Sequence, residues 1–248
     1  MTLASTMTGE LREATRRSEV TREEWVQARR ALLAREKAFT HERDALSAAR
    51  RALPMVKVDK RYVFEGPSGQ RTLTDLFDGK RQLIIYHFMF DPSWNEGCKS
   101  CSLVADNFEA SIVHLAARDT AFAVISRAPL AKIEPFKQRM GWKFRWLSSS
   151  GTDFNYDYNV SFRPEELATQ SAEYNYEKKS FSMSEAPGLS VFLREGNDVF
   201  HTYSTYGRGL DLLINTYNYL DLTPVGRNEQ ELPYGMAWVR HHDKYEGA

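Results

Sequence analysis

The chain has 248 residues, enough for one large domain with an extension. Hydrophobic residues make up 42% and charged residues 27%, with a formal net charge of zero, so the field of the whole chain calls for neither nucleic acid nor an anionic membrane as partner. No segment carries the roughly 20 consecutive apolar residues that span a bilayer, and Met1 to Arg17 lack a signal-peptide core, so the default expectation is a cytoplasmic protein.

The chain opens with an Arg-, Glu- and Ala-rich stretch free of proline until Pro54. Thr21-Arg22-Glu23-Glu24 has the form of a capping box, which predicts a helix starting there. Trp25, Ala28, Leu32, Leu33 and Phe39 recur at helical spacing, and Pro54 closes the section. Residues 1–56 therefore read as an amphipathic arm. One reading docks it on the main domain; the other uses it to form a homodimer.

From Lys57 the pattern changes to alternating strands and helices. Arg61 to Phe64 reads as a strand and Gly66-Pro67-Ser68-Gly69 as a turn. Leu83 to Phe90 is the strongest strand, apolar on both faces as a covered central strand must be. After Asp91-Pro92 and a loop, Leu103, Val104, Phe108, Ile112 and Leu115 trace one helix. Phe122 to Ile125 is the next strand, Ile133 to Met140 a helix closed by Gly141, and Lys143 to Leu147 another strand. Gly151 to Ser184 read as a long polar loop with a short helix at Pro164 to Thr169. Its Asp153-Phe154-Asn155-Tyr156-Asp157 start fails as a calcium loop, because Tyr158 stands where the turn glycine belongs. Gly188 to Leu193 and Asp198 to Tyr203 form a hairpin, and Leu210 to Leu220 a last helix. The alternation predicts an α/β domain over 57–222 with a mostly parallel centre, followed by a tail at 223–248 that packs near the active edge.

The chemistry concentrates in Cys98-Lys99-Ser100-Cys101, which holds both cysteines of the chain. They fall past the carboxyl end of the central strand and at the start of a helix, the edge where ligands bind in α/β sheets. Helix-start N–H groups favour a thiolate at Cys98, and Lys99 adds positive charge. Cys101, one turn on, suits the resolving role. In a reducing compartment such a pair is redox-active or metal-binding. The metal alternative combines Cys98 and Cys101 with His241 and His242 of the tail, or with His87.

An apolar strand, a C-x-x-C opening a helix and a proline before a later strand, Pro187, resemble thioredoxin. The resemblance implies a cis peptide at Pro187, substrate contacts from Ala186, Pro187, Lys99 and Trp94, and no cofactor. It also places His87 where thioredoxin carries a buried proton-accepting Asp. Gly97 stands where thioredoxin has Trp. Asn95 replaces the Thr that peroxiredoxins need three residues before their cysteine, which disfavours that type of peroxidase. The helical arm, His87-Phe88-Met89-Phe90, Gly97 to Ser102, Arg139-Met140-Gly141-Trp142 and the tail with Trp238, Arg240, His241, His242, Asp243 and Tyr245 more closely resemble a bacterial thioredoxin-like family of unassigned function, domain of unknown function eight hundred and ninety-nine. That family is described as predicted dithiol–disulfide oxidoreductases. The resemblance implies a thioredoxin-like sheet flanked by helices. The activity it implies is thiol–disulfide exchange with a protein or small-molecule partner: Cys98 attacks, Cys101 resolves and His87 moves the proton.

Overall fold

The computed structural model describes residues 18–246. They group into two compact units. The first combines α1 (Arg22–Arg51) with residues 218–228. The capping box at its start is complete: Thr21 Oγ1 accepts from the Glu24 N–H, and Glu24 Oε2 accepts from the Thr21 N–H. No residue of α1 is buried.

The second unit, residues 54–217 with 229–246, is built on an eight-stranded sheet. Its strands are β1 (Val56–Lys57), β2 (Val63–Gly66), β3 (Gly69–Thr72), β4 (Gln82–His87), β5 (Thr120–Ser126), β6 (Trp146–Ser148), β9 (Gly188–Glu195) and β10 (Asp198–Tyr206). The order is β1-β10-β9-β4-β5-β6-β2-β3. Parallel pairing is confined to β4–β5 and β5–β6; every other neighbour is antiparallel. The sheet is therefore mixed rather than mostly parallel. Hairpin β9–β10 lies beside the central strand and turns its far side antiparallel. The run β10-β9-β4-β5, with a helix between the parallel pair, is the thioredoxin-like arrangement.

Central position explains the apolar run Leu83 to Tyr86 of β4. Leu83 and Ile85 are fully buried among Phe64, Phe77, Phe154 and Phe192 on one face, and Tyr86 is fully buried on the other. The strand ends at His87, and Phe88 to Phe90 continue as irregular buried chain. The expected single helix at 103–115 is two: α2 (Lys99–Ala105) and α3 (Phe108–Ala117). Between them Asp106 accepts bonds from Trp142 Nε1 at 2.8 Å and from His242 Nδ1 at 2.7 Å. Helix α4 (Leu130–Arg139) ends at Gly141, whose φ of +67° needs glycine's freedom.

The segment expected as a long loop with one short helix at 164–169 has that helix and further structure. It holds α5 (Phe154–Asp157), α6 (Pro164–Ala168) and a hairpin of β7 (Ala172–Tyr174) and β8 (Glu177–Lys179). Its turn residues Asn175 and Tyr176 both have positive φ, +54° and +65°. The last predicted helix divides into a 3-10 turn at Gly207–Leu213 and α7 (Asn215–Leu220).

Candidate active site

Cys98 is the N-cap of α2. Its own N–H donates to the Met89 carbonyl at 3.0 Å, which ties the loop back to the end of β4. Its carbonyl accepts both the N–H and the hydroxyl of Ser102, each at 2.9 Å. The preceding residue has no room for a side chain. A Cβ on Gly97 would meet Phe88 at 2.6 Å and Phe136 at 2.7 Å. Phe88 and Phe136, which pack with Trp142 and Trp146 in an aromatic cluster, thus occupy the space that a larger residue here would need.

The two thiols, both free, have opposite environments. Cys98 is partly exposed and Cys101 is buried. The Cys101 thiol donates to Cys98 and, against burial, brings the Cys98 pKa down to about 7. The N–H groups of Cys101 and Ser100 and the Ser100 hydroxyl add to this. Burial pushes the Cys101 thiol well up, and its bond to Cys98 adds to the rise. The Tyr86 hydroxyl counters by hydrogen-bonding the Cys101 sulfur. Lys99 is not among the causes of the Cys98 shift. Its ammonium donates instead to the Ala237 carbonyl at 3.1 Å and lies over the Tyr234 ring.

An apolar cleft of about 240 Å³ opens on Cys101, lined by Tyr86, Met89, Val104, Pro187, Leu210 and Met236 among others. Pro187 is thus brought beside the cysteines. No peptide bond among the described residues is cis, so the cis bond implied at Pro187 is corrected to trans. Tyr174 holds this wall: its hydroxyl donates to the Pro187 carbonyl at 2.7 Å and accepts the Gly207 N–H at 2.8 Å. Ala186 is buried in a satellite core with Val160, Phe162 and Tyr206, and its N–H donates to the Val160 carbonyl. It presents no surface to a substrate. Trp94 sits in a turn whose carbonyl accepts from Lys132, and it does not line the cleft.

His87 is not brought to the cysteines. Successive side chains of a strand point to opposite faces, so Tyr86 takes the cysteine face and His87 the other. There His87 lies against the Phe154 and Tyr158 rings, and its Nε2 bonds Ser190 Oγ at 2.8 Å. A hydroxyl chain runs on from Ser190 through Ser204 to His201 Nε2. Burial, with His201 nearby, brings the His87 pKa down to about 3, so the ring is neutral. Its Nδ1 is buried without a partner. The proton-relay assignment is therefore corrected.

The tail reaches the same edge as Cys98. His241 Nε2 bonds the Gly97 carbonyl at 2.8 Å. Asp243 pairs with Arg139, and Lys244 with Glu96. The Lys244 ammonium, with Arg139, brings the Glu96 pKa down to about 2. These contacts use His241 and His242 singly. Among the described residues no group of three or more His, Cys, Asp or Glu assembles a metal site, so the alternative set of Cys98, Cys101, His241 and His242 is not gathered.

Sequence reasoning missed a second cluster. Arg127, following β5, bonds Glu185 Oε1 at 2.5 Å, Asp91 Oδ2 at 2.6 Å and the Tyr156 hydroxyl at 2.6 Å. Burial pushes the Glu185 pKa up to about 7, while Arg127 and the Ser161 hydroxyl pull it back. Asp91, although partly buried, is held below its ordinary value by the Ser93 and Ser184 hydroxyls and Arg127. Arg127, Asp91 and Glu185 are far apart in sequence, and no local pattern joins them. The cluster borders a cavity of about 540 Å³ that no cysteine lines.

These features define a thioredoxin-like domain whose C-x-x-C opens a helix beside a central strand. The family model described as a bacterial protein of unknown function (DUF899) matches residues 14–245, and the chain belongs to that family. None of the curated proteins compared with the chain matches it. Similar solved structures include Xanthomonas campestris bacterioferritin comigratory protein, with 13% identity over 67% of this chain and 96% of that one, at a TM-score of 0.44. Peroxidoxin BcpB from Mycobacterium tuberculosis shares 15% identity over 68% and 97%, at 0.43. A mutant of Xylella fastidiosa PrxQ shares 12% over 64% and 88%, at 0.42.

Proposed function

We propose that the Cys98–Cys101 pair performs two-electron thiol–disulfide exchange with a protein or small-molecule partner. The observation that carries this reading is the asymmetry of the two thiols. Cys98, with its pKa brought down to about 7, is about half thiolate at neutral pH and partly exposed, whereas Cys101 is buried and held protonated.

The Cys98 thiolate attacks one sulfur of a substrate disulfide. A Cys98–substrate bond forms, the substrate S–S bond breaks, and the second substrate sulfur leaves as a thiolate. Cys101 then loses its proton to that thiolate or to solvent and attacks the Cys98 sulfur. The Cys98–Cys101 disulfide forms and the substrate leaves as a dithiol, reduced by two electrons. The reverse sequence oxidises a dithiol. Tyr86 takes the place expected of His87, since its hydroxyl bonds the Cys101 sulfur and favours the thiolate needed for the second step. The apolar cleft over Cys101 suits apolar groups flanking the substrate sulfur. Among the described residues no helix is long and apolar enough to cross a membrane, and a reducing cytoplasm suits a cycling pair.

The test is to incubate the Cys101→Ser variant with a dithionitrobenzoate or peptide disulfide. A stable mixed disulfide on Cys98, absent from wild type at steady state, is the expected product in mass spectrometry. Unreacted thiols in both proteins would reject the reading.

A further inference from the structure

The peptide that joins Gly97 to Cys98 is held from both sides. Its N–H, on Cys98, donates to the Met89 carbonyl at 3.0 Å. Its carbonyl, on Gly97, accepts from His241 Nε2 at 2.8 Å, across 144 residues of sequence. A carbonyl only accepts, so His241 carries a proton on Nε2. The other ring nitrogen, Nδ1, stands 3.7 Å from Glu96 Oε2, beyond hydrogen-bond reach. The ring is 7% exposed and meets Phe136 edge-on at a centroid distance of 5.4 Å. The charges around it are paired among themselves. Glu96 takes Arg139 and Lys244, Arg139 also takes Asp243, and His242 takes Asp106.

We propose that His241 is a positioning residue for Cys98: its Nε2–H fixes the rotation of the Gly97–Cys98 peptide and thereby the direction in which Cys98 points its sulfur. The inference rests on the thiol–disulfide reading above. Phe88 and Phe136 leave no room for a side chain at residue 97, so glycine is required there. Glycine also leaves the peptide that follows it unusually free to rotate. A position that must lack a side chain therefore has to be fixed by another segment, and the tail supplies the contact. The peptide moves as a rigid plane, so its rotation shifts the Cys98 nitrogen, and Cβ must follow. The sulfur then leaves the Cys101 thiol and the N–H groups of Cys101 and Ser100, which together favour its thiolate. Protonation of the imidazole adds a proton at Nδ1, towards Glu96, and leaves Nε2–H in place. The hold on Gly97 is thus the same in both charge states of the ring.

The experiment follows alkylation of Cys98 by iodoacetamide against pH in the full, reduced chain, with mass spectrometry assigning the label. His241→Leu is expected to raise the midpoint by about one pH unit, which lowers the rate at pH 7 about fivefold. His241→Gln places an amide N–H close to where Nε2 stands and restores the wild-type midpoint. His242→Ala, which loses the bond to Asp106, leaves the midpoint unchanged. A midpoint unmoved in His241→Leu overturns the inference and leaves the exchange reading standing. So does a His241→Gln midpoint as high as that of His241→Leu, which would reduce the histidine to packing. A wild-type midpoint at the ordinary value of about 8.5 rejects the exchange reading and this inference with it. Nitrogen NMR of the wild type at pH 8 requires no variant to fold. A His241 proton on Nδ1 alone, with none on Nε2, overturns the inference.

Discussion

The two faces of β4 hold neighbouring residues with opposite fates. On one face Tyr86 turns its hydroxyl to the Cys101 sulfur, in the lining of an apolar cleft that opens on that cysteine. On the other, His87 is sealed among aromatic rings and ends a hydroxyl chain through Ser190 and Ser204 to His201. The residue type that usually moves protons is kept neutral and away from the cysteines. A tyrosine stands beside Cys101 instead. A side chain's chemical aptitude does not assign its role; the face of the strand it occupies does.

The largest expected effect separates the faces directly. Cys98→Ser reduces disulfide exchange to background, while His87→Leu leaves the rate and its pH profile unchanged in an insulin-reduction assay. A pH profile that moves in His87→Leu would break the comparison.

Next in size is the dependence of stability on pH. Burial brings the His87 pKa from an ordinary 6.5 to about 3. Between these values the unfolded chain binds more protons than the folded one at this site. This contribution to stability is present above about pH 6.5 and is lost as pH falls, by at most about 1.4 kcal/mol per unit. Glu185, raised to about 7, acts with the opposite sign, its contribution lost as pH rises towards 7. The comparison of variant with wild type isolates His87. Urea unfolding at pH 7 and pH 5 should show His87→Leu losing less stability on acidification, and equal losses would contradict the assigned burial.

Tyr86→Phe tests the cysteine face. Loss of one hydrogen bond to the Cys101 sulfur, roughly 1.4 kcal/mol, slows resolution about tenfold and lets the mixed disulfide accumulate. An unchanged decay of that species in stopped flow would remove Tyr86 from the mechanism. The smallest effect is expected from Lys99→Ala. The Lys99 ammonium is bound to the Ala237 carbonyl. The iodoacetamide reaction of Cys98 therefore keeps its midpoint near pH 7 in this variant, and shifts upward in Cys101→Ala, which removes the leading cause of the low value.

Much of the frame was legible locally. The Thr21 capping box, the apolar run of β4, the glycine closing α4 and the β9–β10 hairpin each follow from a few adjacent residues. The placement of Cys98 at a helix start was legible for the same reason, because it needs only a strand, a loop and a helix in sequence. The break between α2 and α3 was not. Apolar spacing continues across it, and Trp142 and His242 hold Asp106 at the break from distant segments. The β7–β8 hairpin was missed because Asn175-Tyr176 is not a glycine turn.

The sequence by itself determined that two cysteines share one turn, follow a covered strand and open a helix, since all of that is set by spacing and hydrophobic pattern. Tertiary structure alone decided which neighbours they meet. It gave Cys101 the Tyr86 hydroxyl, sent Lys99 to the tail carbonyl and turned His87 away. It also joined Asp91, Arg127 and Glu185 into one ionic cluster. Local pattern sets which element a residue joins. Its face, its burial and its partner across the sheet depend on chain segments dozens of residues away.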